Sequence, residues 1–128
     1  MILLLDTSTP VCRLTVVDGD LRTDYEWQAD RQLAKNLLGW LNEKLDEQSK
    51  TWQDLTGIGV FRGPGSFTGL RIGLTVLNTL ADSLDIPIVG ASDESWRDDA
   101  IRRLSDGEND QIVLPYYDSD ANITTPRK

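Results

Sequence analysis

The sequence predicts an α/β fold, a mixed sheet of spatial order 3-2-1-4-5 with helices on both faces. Three observations predict it. The chain opens on a continuous apolar run, Ile2-Leu3-Leu4-Leu5, as a strand buried on both faces requires. Two strand-like stretches follow it at hairpin spacing, and helix-length and strand-length segments then alternate to about Ser105.

Residues 1–5 form the first strand, ended by Asp6 and a loop through Pro10. Residues 11–17 and 21–27 form the second and third, joined by the Asp18-Gly19-Asp20 turn, and complete an antiparallel meander. Asp30 is placed to cap a helix running to about residue 48, and residues 57–62 read as a short strand. Glycines 63, 65 and 69 then break the chain, a second helix spans 70–84, and residues 87–90 make another strand. Ser92, with Asp93 and Glu94 in the first turn, is expected to cap a third helix through residue 105, on which Trp96, Ala100 and Leu104 share a face. Residues 112–117 read as one more short strand, a single domain is expected over 1–117, and the Asp-, Ser-, Asn- and Thr-rich residues 118–128 read as a loose tail. Right-handed crossovers put the first two helices on one sheet face and the third on the other.

The balance of 13 Lys+Arg against 21 Asp+Glu gives a net charge of -8, so the surface cannot by itself neutralise many nucleic-acid phosphates. No apolar run approaches the roughly 20 residues of a membrane-spanning helix, and a cytoplasmic protein is expected. The single cysteine, Cys12, lies in an alternating apolar stretch and reads as a buried thiol. The chain has no histidine, which removes His-ligated zinc, Ser/His and Cys/His pairs and imidazole bases together. The four tryptophans are spread over different segments without interleaved basic clusters and read as packing rather than as base-stacking platforms.

The most informative stretch is Gly63-Pro64-Gly65-Ser66-Phe67-Thr68-Gly69-Leu70-Arg71-Ile72-Gly73, a strand-to-helix turn. One reading is a phosphate loop, since amides converge at a helix N-terminus. The string lacks the lysine of G-x-x-x-x-G-K-[ST] and the spacing of G-x-G-x-x-G, and the other reading is a tight turn capped by Ser66 or Thr68. Asp6, Thr7, Ser8, Gly63, Gly65 and Ser66 are the candidate loop site under either reading.

With Met1-Ile2-Leu3-Leu4-Leu5-Asp6-Thr7-Ser8, Leu55-Thr56-Gly57-Ile58-Gly59-Val60 and Ile86-Pro87-Ile88-Val89-Gly90, this string resembles the TsaB family over roughly residues 1–95. The resemblance implies one lobe of the actin-like, RNase H-like (ASKHA) fold. It also implies a non-catalytic subunit of the machinery that makes threonylcarbamoyladenosine at position 37 of tRNA, paired with a TsaD-type catalytic subunit and working with a TsaE-type ATPase. ATP or ADP and metal are then expected on the partner or at a shared interface, with none intrinsic to this chain, and tRNA is reached only through the complex. The sequence departs from the family in two places. Arg31-Gln32 is followed by Leu33-Ala34-Lys35 where the family carries His-Ser-Glu, and the resemblance stops short of the family's usual C-terminal domain, so a minimal single-domain form is expected. The competing readings are an autonomous actin-like ATPase and a homodimeric scaffold unrelated to tRNA. A peptidase is excluded by the missing His-x-x-x-His and the missing nucleophile–base pair.

The partner surface is expected on the first two helices. On a helical wheel the apolar residues of the second spread over roughly 200° and those of the first over roughly 160°, more than the ~100° that packing on one sheet uses. Leu33, Leu37, Leu38, Trp40, Leu41, Leu70, Arg71, Leu74, Leu77 and Ala81 are the candidate interface residues, meeting a TsaD-type helix pair or, when the chain is alone, a second copy.

Overall fold

A computed structural model describes residues 1–116. Its strands are β1 (Ile2–Asp6), β2 (Val11–Asp18), β3 (Leu21–Gln28), β4 (Gly57–Phe61) and β5 (Ile88–Ala91), and its helices are α1 (Leu33–Glu47), α2 (Phe67–Leu84) and α3 (Trp96–Ser105). The sheet order is β3-β2-β1-β4-β5, as the sequence predicts. β1 pairs antiparallel with β2 and parallel with β4, with Leu5 opposite both Leu14 and Val60.

The pleat divides the core into two. Leu3, Leu5, Leu14, Ile58 and Ile88 point to the face carrying α1 and α2, and Leu4, Val17 and Val89 point to α3. α1 supplies Leu33, Leu37, Leu41 and Leu45 at i, i+4 spacing, all buried. At about 1.5–3 kcal/mol per buried leucine, this one stripe holds the helix far more firmly than its intrinsic propensity does. On the other face, a Cβ at Gly59 would stand 2.6 Å from Leu4 Cδ2 and 2.8 Å from the Ala100 Cβ, so the glycine lets α3 sit directly on the sheet. Because α1 and α2 each lie between strands that run the same way as β1, both helices begin at the edge of the sheet where β1 and β4 end.

The structure corrects several boundaries. Asp30 does not cap α1: it has φ 47° and accepts a hydrogen bond from Gln28 Nε2, and a 3-10 turn at Asp30–Gln32 leads into the helix. α2 starts at Phe67, earlier than expected, because Ser66 caps it by accepting from the Gly69 amide. Ser92 does not cap α3; its hydroxyl donates to the Gly63 carbonyl, and α3 begins at Trp96 with no side-chain cap. Residues 112–116 form no strand, because side chains already occupy the free edge of β5. Ile88 N–H donates to Asn109 Oδ1 and Gly90 N–H to Asp110 Oδ2, while Gly90 C=O accepts from Arg103. The segment instead crosses α2, where the Asn78 amide side chain pairs with both backbone groups of Val113. Residue 117 and the predicted tail at 118–128 lie outside the described residues.

Candidate functional site

A cleft of about 820 Å³ opens where the N-terminal ends of α1 and α2 meet the β1–β2 loop; Thr9, Pro10, Arg31, Gln32, Ser66 and Thr68 are among its lining residues. The loop is fixed on both sides. Its Pro10 carbonyl accepts from the Ala29 and Asp30 amides, and its Ser8 carbonyl accepts from the Ser66 amide at 2.8 Å. Asp6 Oδ1 accepts from the Ser8 amide two residues on, and the buried Thr7 hydroxyl donates to the Gly69 carbonyl at 2.7 Å.

Glycine placement explains how closely the loop and helix approach. Gly65, Gly69 and Gly73 recur every fourth residue from the turn before α2 into its second turn. A Cβ at Gly65 would meet the Ser8 Cβ at 2.5 Å, one at Gly69 would overlap the Thr7 carbonyl oxygen, and one at Gly73 would overlap Thr7 Oγ1. The glycine string therefore forms a trough for the Thr7–Ser8 backbone, and the Ser66 and Gly69 amides are spent within the chain. Gly63 carries φ +118°, and a Cβ there would also overlap the Tyr116 carbonyl oxygen. The structure thus brings Asp6, Thr7, Ser8, Gly65 and Ser66 together, with Gly63 turned toward the 112–116 segment.

The predicted helix-face residues divide. Leu33, Leu37, Leu41, Leu70, Leu74, Leu77 and Ala81 are buried in the chain's own core and are not available to a partner. Part of the wide apolar arc of α2 is covered within the chain: Ile72, Val76, Leu80 and Leu84 pack against the shared core cluster and are each half-buried. Trp40 is half-buried and stacks on Trp27 at 5.2 Å. Leu38 is 51% exposed, and Arg71 is exposed with its guanidinium over the Phe67 ring. Beside them Ala34, Thr68, Arg71, Ile72, Thr75 and Val76 line a shallow groove of about 380 Å³ between the two helices. Ala34, Ile72 and Val76 belong to the apolar arcs read from the sequence but not to the named interface residues, and Thr68 and Thr75 belong to neither, because a wheel shows the width of an apolar arc but not which edge a neighbouring helix covers.

Cys12 is 1% exposed, and burial first, then the nearby Asp6 charge, pushes its thiol up to about 12. Trp96 is buried against Phe61 and Trp52 packs on the main core. Among the described residues no three His, Cys, Asp or Glu side chains gather to hold a metal ion, and no helix is long and apolar enough to cross a membrane.

This sheet order with helices on both faces defines one lobe of the actin-like fold. The sequence model of the family described as TsaD, tRNA N6-adenosine threonylcarbamoyltransferase, matches residues 27–95. The chain is 28% identical to the tRNA threonylcarbamoyladenosine biosynthesis protein TsaB of Escherichia coli, covering 94% of this chain and 56% of that protein. It is 36% identical to the Bacillus subtilis TsaB over 71% of this chain and 40% of that one. The solved structure of YeaZ from Pseudomonas aeruginosa superposes with a TM-score of 0.68 at 31% identity, over 81% of this chain and 49% of that one. The chain belongs to the TsaB family, within the wider TsaD-related group. It spans about half the length of the curated relatives it matches.

Proposed function

We propose that the protein is a non-catalytic subunit of the machinery that makes threonylcarbamoyladenosine in tRNA, and that it binds a TsaD-type catalytic subunit through the outward face of α1 and α2. The observation that carries this reading is the apolar strip on those helices, exposed Leu38 and Ala34 with the half-buried Ile72 and Val76 of the groove, in a chain whose relatives are named for that modification. The loop site supports a subunit without chemistry of its own. Asp6 Oδ1 and the Thr7 hydroxyl, the groups nearest to a phosphate-binding role, are bonded within the chain, and among the described residues no three His, Cys, Asp or Glu side chains gather to hold a metal ion. On this reading ATP or ADP and metal are held by the partner or at the shared interface, a TsaE-type ATPase joins the complex, and tRNA is engaged only through it. A second copy of the chain occupies the face when the partner is absent.

The test is co-expression with the host's TsaD-type subunit followed by affinity capture. Wild type should be retained stoichiometrically, and Leu38→Glu should be lost from the complex with an unchanged circular dichroism spectrum and urea midpoint. Retention of a folded Leu38→Glu chain at wild-type level would remove α1 from the interface. Absence of a wild-type complex would defeat the reading.

A further inference from the structure

The exposed charges of α1 and α2 run opposite to what the helices themselves favour. A helix is stabilised by acids in its first turn and bases in its last. α3 follows that rule, with Asp98 and Asp99 at its start and Arg102 and Arg103 at its end. Neither α1 nor α2 has an acid in its first turn. Arg31 and Lys35 stand at the start of α1 and Arg71 at the start of α2, all three exposed, against one exposed acid, Asp30, in the 3-10 turn that leads into α1. At the other end are Glu43, Asp46 and Glu47 on α1 and Asp82 on α2, with Asp85 just past its end; the cations there are Lys44, which bridges Glu43 and Glu47, and Lys50, which pairs with Asp18. Among the described residues Arg31, Lys35 and Arg71 make no ion pair, and neither do Asp46, Asp82 and Asp85. In a chain of net charge -8, three exposed cations without a carboxylate partner stand at the starts of the two helices, and one of them, Arg71, lines the apolar groove.

Because α1 and α2 begin at the same edge of the sheet, these charges form one axial pattern across the helix pair, positive at its N-terminal end and negative at its C-terminal end. We propose that this pattern recognises the partner electrostatically. On the reading that a TsaD-type subunit occupies the face, the subunit presents acidic side chains over Arg31, Lys35 and Arg71 and basic ones over Asp46, Asp82 and Asp85, flanking an apolar seam. A second copy packed with its helices parallel would set like charges together at both ends, so the pattern also selects against that self-pairing.

The experiment measures the affinity of the purified full chain for the TsaD-type subunit by calorimetry at 50 and 500 mM NaCl. Three chains are compared: wild type, the triple variant Arg31→Glu/Lys35→Glu/Arg71→Glu, and a control, Arg102→Glu, on α3. Wild type should weaken at least tenfold at high salt, where charge interactions are screened within a few ångströms. The triple variant should lose at least tenfold at low salt and should not weaken further at high salt, where the new like-charge repulsion is screened, with its urea midpoint no lower than wild type, and the control should bind as wild type does. Wild-type binding that is indifferent to salt, or a triple variant that binds normally, would overturn the electrostatic proposal while leaving the helix face as the partner site. Failure of wild type to bind at either salt would overturn both.

Discussion

Gly73→Ala isolates the packing of the loop on the helix from helix propensity. In the interior of a helix this substitution ordinarily stabilises by about 1 kcal/mol. At Gly73 the new methyl would stand 2.9 Å from Thr7 Cγ2 and 3.1 Å from Thr7 Cβ and would overlap Oγ1, all well inside the ~3.5–4.0 Å of a comfortable carbon contact. Thr7 is 3% exposed, and its hydroxyl is held by the Gly69 carbonyl, so it has nowhere to swing without giving up that bond. Overpacking at about 1–3 kcal/mol and a lost hydrogen bond at ~1 kcal/mol outweigh the propensity gain, leaving a net destabilisation of about 1–3 kcal/mol. Gly39, inside α1 with nothing within 4 Å of its would-be Cβ, is the internal control: Gly39→Ala should stabilise by up to ~1 kcal/mol. Urea unfolding followed by tryptophan fluorescence reads both variants, and Thr7→Ala combined with Gly73→Ala should recover part of the loss. If Gly73→Ala is as stable as wild type, or if Thr7→Ala does not couple to it, the trough is not what those glycines are for.

Asn78→Ala should cost about 1–3 kcal/mol and speed proteolysis within 111–116, because it strands both backbone groups of the buried Val113; unchanged cleavage kinetics would contradict this. Cys12 should resist a thiol reagent at pH 8 until the protein unfolds. Since its folded pKa of about 12 lies above its unfolded value, the stability it contributes is complete below about pH 8.5 and is lost as the pH climbs toward 12; native labelling within seconds would refute the burial. Burial pushes the Asp110 carboxyl up, but hydrogen bonds from Arg103 and the Gly90 amide outweigh it and hold it below the usual range. Its contribution is present above about pH 3.9 and lost as the pH falls through the lower folded value, so the urea midpoints of wild type and Asp110→Asn should converge from pH 5 to pH 2.5. Leu74→Glu, at a position only 4% exposed, should fail to fold, whereas Leu38→Glu should fold normally.

Local chemistry by itself determined the strand order, the sides on which the helices lie and the buried thiol. Apolar runs, the Asp18-Gly19-Asp20 turn and the handedness of crossovers are properties of short segments, and they add up to the sheet order observed. The glycine string was equally legible as a strand-to-helix turn. What it serves was decided only by Thr7 and Ser8, some sixty residues away in sequence, which lie in the trough it makes. Tertiary contacts also drew the line between core and surface on α1 and α2: a wheel gives Leu37 and Leu38 similar weight, but the sheet covers one completely and leaves the other half exposed. The missing sixth strand has the same cause. Residues 112–116 have strand-like chemistry, but a strand needs a free edge, and Asn109, Asp110 and Arg103 satisfy β5 first. Composition along the chain sets which segments can bury apolar surface, whereas the partner of each backbone amide and the exposed edge of each helix depend on what distant residues have already occupied.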